Sequence, residues 1–204
     1  MHSALDVANY FLCRVDREAG DTISLLKLQK LVYYAQAWSL VMRDQPLFYQ
    51  DIEAWSSGPV VRDVWNQYEE SQGVTILPAK EVSSNWVVLL DAYHRGYKPS
   101  NENFLKNVPE NWSSLIEGMV LNCKSRDIPE PDDFDNPFTE DEIEVLEEVW
   151  DTYGELSAKY LQDLVQSEAP WRNARKGLAP AQKSTNAIGH DDMKSYYANF
   201  LVEA

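Results

Sequence analysis

The side chains best suited to acid–base, nucleophilic or metal chemistry are few and scattered. The chain holds three histidines, His2, His94 and His190, and two cysteines, Cys13 and Cys123, among 204 residues. Zinc sites recur at short ligand spacings such as HExxH, and none of the histidines belongs to one. A nucleophilic pair of Cys13 and His94 can be drawn, yet Cys13 ends an apolar helical face, where an inert buried thiol is the expected reading. Asp132, Asp133 and Asp135 supply neighbouring carboxylates, but they sit in a stretch with three prolines in ten residues, from Ile128 to Pro137. Nothing local holds them in register, so solvated loop charge is the better reading. Neither GxGxxG nor GxxxxGK[ST] occurs, and phosphate cradling lacks its marker. No catalytic residue, metal or cofactor is expected.

Charge narrows the partners. The formal net charge is −15, and it is concentrated: residues 101 to 150 hold fourteen Asp and Glu against three Lys and Arg, −11 net. Neutralising phosphates supplies most non-specific affinity for nucleic acid, so an acidic chain is a poor candidate for that role. The charge excess can attract a basic protein, mimic nucleic acid, or simply keep the surface soluble. Two distant cysteines suggest neither a disulfide framework nor a zinc ribbon and fit a reducing compartment. The first residues have no basic leader or small-residue cleavage site, and no apolar run approaches the length of a membrane span. A cytoplasmic protein is the simplest expectation.

Seven tryptophans carry more information than the histidines. Trp55, Trp65 and Trp171 each stand beside a chain-turning signal. Tryptophan anchors interfaces because it buries a large area with a polar handle, and it equally packs seams between helices. Both readings stay open from sequence alone.

The elements that must position these residues are mostly helical. Ser3 to Asp6 has the form of a capping box, and Leu5, Ala8, Phe11 and Leu12 follow at helical spacing to an end expected near residues 19 to 21. Ser24 is the next N-cap candidate. From Leu26 to Val41 only two side chains are charged. Leu25, Leu28, Leu31, Val32, Ala35 and Trp38 mark one face, and Leu26, Tyr33, Ala37, Leu40 and Val41 make the other apolar too. Such a helix is either central to a core or covered by a partner. Pro46 should break it. Gly58-Pro59 is expected to start a third helix, with Pro59 at its first position, Ser56 or Ser57 as cap, and Val60, Val61, Val64, Trp65 and Tyr68 inward as far as Gly73. From 74 to 137 the pattern degrades: a short strand at 74 to 77, a strand or helix at 86 to 94 and a helix at 112 to 123 are the expectations. Periodicity resumes with a capping box at Thr139, then Ser157, with an end at Pro170-Trp171, and a last helix from Asp191 to Val202. The fold class is mainly α: one compact multi-helix domain over 1–204, with a small β element and an irregular acidic insertion at 78–137.

The order of motifs is more specific than any one of them. Asp6 to Leu12 (DVANYFL), Leu26 to Gln36 (LKLQKLVYYAQ), Pro46-Leu47-Phe48, Glu53-Ala54-Trp55 and Gly58-Pro59-Val60-Val61 resemble the successive signatures of the Panacea domain, a family of SocA-like antitoxins and GepA-like phage-associated proteins. Val149 to Gly154, Ser157-Ala158, Leu161 and Ala169 to Arg175 continue the likeness, which spans about 1 to 77 and 138 to 202. Where the family carries a Thr-His pair, this chain has Val165-Gln166, and the 78–137 stretch is longer than the family's usual linker.

The resemblance implies a helical binding module that neutralises a co-encoded toxin by direct contact, in SocA-type members as an adaptor presenting it to a protease. It leaves open whether the module works as a monomer or a homo-oligomer. The expected partner-binding residues are Trp55, Gly58, Pro59, Arg62, Trp65 and Trp171, with Arg62 on the first turn of the third helix. The simpler alternative for Arg62 is a pairing with Asp63 or Glu69. The rival functions are a phage-derived effector or enzyme with a polar cleft around Arg62, Gln36, Tyr33 and Trp171, or an acidic nucleic-acid mimic.

Overall fold

The computed structural model describes residues 2–15, 23–69 and 138–201. All of them belong to one unit, assembled from Met1–Pro78 and Pro137–Ala204. The elements expected at 74 to 94 and at 112 to 123, and the insertion as a whole, lie outside the described residues.

Local capping chemistry starts the helices where the sequence places it. In α1, Ala4–Arg14, the Ser3 hydroxyl accepts from the Asp6 N–H, and the Asp6 carboxylate accepts from the Ser3 N–H at 3.0 Å. The helix ends sooner than expected, because Val15 is already extended. Ser24 caps α2, Leu25–Met42, by accepting from the Lys27 N–H. Thirteen of the eighteen α2 residues are buried, and it packs against α1 and five elements introduced below. The all-round apolar helix is therefore the core's axis. Pro46 is not what ends it: α2 stops at Met42, and Asp44 reverses the chain in the left-handed region at φ 58°.

A two-stranded antiparallel sheet follows, β1 (Ile52–Trp55) and β2 (Gly58–Val61), with Trp55 opposite Gly58 and Ala54 opposite Pro59. Gly58-Pro59 thus belongs to a hairpin and not to a helix start. The reason lies in the ladder. Ala54 sends its N–H to Asn186 O at 2.8 Å, away from β2, so the Ala54–Pro59 pair needs no donor from proline. Helix α3, Arg62–Tyr68, begins directly after β2 with Val61 at its N-cap and no side-chain cap.

The second half adds α4 (Glu140–Tyr153), α5 (Ala158–Ser167), α6 (Ala169–Ala174) and α7 (His190–Leu201). Thr139 and Glu142 form the expected capping box, and Ser157 accepts from the Tyr160 N–H. Pro170-Trp171 does not end α5. Glu168, extended at ψ 146°, separates the helices, and Pro170 sits in the first turn of α6, where a missing N–H is harmless. Helix α4 meets α2 through Tyr153, whose ring stacks on Tyr34 at 4.0 Å and whose hydroxyl accepts from Trp38 Nε1 at 3.1 Å. The fold is mainly α with a small β element. Among the described residues no helix is long and apolar enough to cross a membrane, and no three His, Cys, Asp or Glu side chains gather as a metal set. Cys13 is half-buried.

Leu28 is fully buried on α2. Leu28→Ala should lower stability by about 2–5 kcal/mol in denaturant melts, the range for a leucine truncated in a core that relaxes only partly.

Candidate functional site

The buried face of α2 carries polar side chains where it meets backbone left unpaired by the hairpin and by the segment before it. Gln29 accepts from the Val61 N–H at 2.8 Å and donates to Val61 O at 3.2 Å. Lys30, fully buried, donates from Nζ to Pro59 O at 2.9 Å. Gly58, at φ +105°, lies against the same lysine: a Cβ there would come within 2.9 Å of both Lys30 Cε and Nζ. Gln36 uses both ends of its amide, accepting from the Leu47 and Phe48 N–H groups and donating to Phe48 O.

The outer side of the hairpin is fastened by the C-terminal half. Gln166 Nε2 donates to Ser56 O at 2.9 Å, and Ile188 N–H donates to Ile52 O at 2.8 Å. Arg175 is buried and engaged through both terminal nitrogens, giving Nη1 to Ala54 O and Nη2 to the carbonyls of Ala179, Pro180 and Gln182. Of the Val165-Gln166 pair that departs from the Thr-His pattern, Val165 fills the space beside Gly58 and Gln166 holds the turn.

On this frame stands a ridge of aromatic and cationic side chains. The Trp55 and Trp65 rings meet at 5.1 Å. The Arg62 guanidinium lies 5.6 Å from the Trp55 ring centre and grips Glu53 with two hydrogen bonds of 2.9 and 2.7 Å. Glu53 also accepts from Trp55 Nε1 at 2.7 Å, fixing both side chains. Trp171 Nε1 donates to Trp55 O at 3.0 Å, and Arg175 stacks over the Trp171 ring at 5.2 Å. The three tryptophans are half-buried and Arg62 is exposed.

The structure therefore brings the six sequence candidates together, but in two roles. Trp55, Arg62, Trp65 and Trp171 present surface. Gly58 and Pro59 are buried beneath it. The expected alternative partners of Arg62 are engaged elsewhere: Asp63 accepts from Gln50 and Glu69 from Trp65. Its actual partner, Glu53, comes from the neighbouring strand, which sequence distance did not reveal. Of the residues named for the rival polar cleft, Tyr33 and Gln36 are buried in the core, whereas Arg62 is exposed and Trp171 half-buried.

A second polar cluster was missed from sequence. Glu168, between α5 and α6, accepts from Tyr34 at 3.3 Å and from Tyr197 at 2.5 Å, and the Tyr197 and Tyr33 hydroxyls lie 3.2 Å apart. Burial pushes the Glu168 carboxyl up to about 7, against the pull of its two tyrosine donors. Burial likewise brings the Lys30 ammonium down to about 7. For Lys30 the available signal was a charged side chain within a run of apolar residues on α2, because such a group is retained in a core only where it has a partner.

Comparison with known proteins gives one match. The family model described as Antitoxin SocA-like, Panacea domain, matches residues 28–172. Neither a curated protein nor a solved structure matches the chain.

Two outcomes test the frame. Gly58→Ala should destabilise the protein by about 1–3 kcal/mol in denaturant melts, since it forces a side chain into the left-handed region and against Lys30. The buried charges set a pH profile. Folded Glu168 binds its proton more tightly than the unfolded chain does, so its contribution falls as pH rises from 4.5 to about 7. Folded Lys30 releases its proton early, so its contribution rises from about 7 to 10.5. Glu168→Gln should flatten the acid limb of stability against pH, and Lys30→Met the alkaline limb, both read from melts across that range.

Proposed function

The chain belongs to the SocA-like antitoxin family with a Panacea domain, and from that premise we propose that it neutralises a co-encoded toxin in the cytoplasm by binding it at the hairpin ridge. The observation that carries this reading is the contrast between the ridge and its support. Gly58, Pro59 and the polar groups of α2 hold the hairpin from within, while Trp55, Trp65, Trp171 and Arg62 remain partly or fully accessible above it. A rigid support lowers the entropy lost on binding, and tryptophan and arginine are the side chains that most often dominate interface energy. The reading is non-catalytic and needs no cofactor. The unit that carries the ridge is built from both flanks of the acidic stretch, which supports reading 78–137 as an insertion within one Panacea-like domain.

Arg62→Ala tests it. An exposed ion pair contributes little to stability, so the melting temperature should hardly move, whereas co-expression with the adjacent toxin-like reading frame should no longer restore growth. Full protection by the folded variant would move the binding surface away from the ridge.

A further inference from the structure

Resting on the ridge as the partner site, the charge around it bears on what the partner looks like. Within the ridge itself the charges are already committed. Arg62 is paired with Glu53, Glu69 accepts from Trp65, Asp63 accepts from Gln50, and Arg175 is consumed by four carbonyls. The flank formed by α6 and the loop after it is different. Residues 169 to 189 contain Arg172, Arg175, Lys176 and Lys183 and no Asp or Glu, in a chain whose net charge is −15. Arg172, Lys176 and Lys183 are exposed and make no ion pair with any other described residue.

That flank is joined to the tryptophans. Arg172 follows Trp171, whose indole is tied to the Trp55 carbonyl, and the loop carrying Lys183 continues into Ile188, which pairs with β1. An unneutralised cationic strip thus borders a half-exposed aromatic ridge. We propose that this strip selects its protein partner by charge: the segment that docks on the ridge carries carboxylates, set beside apolar side chains that cover Trp55, Trp65 and Trp171. Arginine and lysine there would pair with the carboxylates at the rim while the rings are desolvated, the usual division of an interface into apolar centre and polar edge. A single-stranded nucleic acid would also find cations and rings, but a polyphosphate extends its charge well past the strip, over a surface that is acidic overall. A short acidic segment meets the strip within about one Debye length, roughly 8 Å at physiological salt.

The test uses the full chain and three fluorescent probes in anisotropy titrations: a short peptide alternating Asp and Glu with Leu and Phe, the same peptide with Asn and Gln in place of the acids, and a single-stranded RNA. The acidic peptide should bind about tenfold more tightly than the neutral one, weaken with added salt, and lose a similar factor in Arg172→Glu/Lys176→Glu with unchanged circular dichroism. Equal binding of the neutral peptide, an unaffected charge-reversed variant, or tighter binding of RNA overturns the proposal. Growth assays with the co-encoded toxin separate it from the reading beneath. Rescue lost in Trp65→Ala but kept in Arg172→Glu/Lys176→Glu leaves the ridge as the toxin site and removes the acidic selectivity. Rescue kept in both removes the ridge itself.

Discussion

One side chain of the central helix, the Gln29 amide, answers both backbone groups of Val61, and the hairpin's place in the molecule depends on it. Its neighbour Lys30 reaches Pro59 O, two residues earlier in the same strand. A buried N–H or C=O without a partner costs more than an ordinary hydrogen bond contributes, so the hairpin can sit against α2 in one register only. That register puts Trp55 and Glu53 where Arg62 and Trp65 can meet them. The LKLQKL stretch and Gly58-Pro59-Val60-Val61 are thus the two sides of one hydrogen-bonded contact.

Holding that contact with a lysine has a consequence for stability. A fully buried ammonium is disfavoured by desolvation, and so is the carboxylate of Glu168, which meets α2 at Tyr34, one helical turn beyond Lys30. Each group therefore strains the fold in the charged form that it would adopt in water at neutral pH. The apolar packing of Leu28, Leu31 and Val32 on α2, together with the Tyr34–Tyr153 stack, has to offset that strain. What the polar groups contribute in return is uniqueness of register, the role best attested for buried polar residues elsewhere. A rigid, uniquely placed hairpin is what a recognition surface needs.

The surface above the frame divides by charge state. Acidic and basic side chains at the ridge neutralise one another through Glu53–Arg62, whereas the α6 flank keeps its positive charge open. In an acidic chain, such a flank is the part of the surface where an approaching molecule meets the opposite field. Membership of an antitoxin family implies, in general, a protein partner of the toxin kind.

Helix starts and faces set by side chains a few residues apart could be read from the sequence: the capping boxes at Ser3 and Thr139, the caps at Ser24 and Ser157, the apolar periodicity of α2, and hence the mainly α fold. The candidate site was legible as a neighbourhood, because Trp55, Gly58, Pro59, Arg62 and Trp65 are close in the chain. What each does there was decided only by tertiary structure. Gly58-Pro59 has the local form of a helix start, and it became a strand because Ala54 turns its N–H to Asn186, 132 residues further on. Arg62 found Glu53 and not Asp63 or Glu69 because β1 pairs with β2, which sets Glu53 opposite Val60, two residues before Arg62. Gln29, Lys30 and Glu168 declare themselves only when their distant partners are in place. A cap or a periodic face is fixed by neighbours in sequence, while a buried polar group is fixed by whatever the fold brings opposite it.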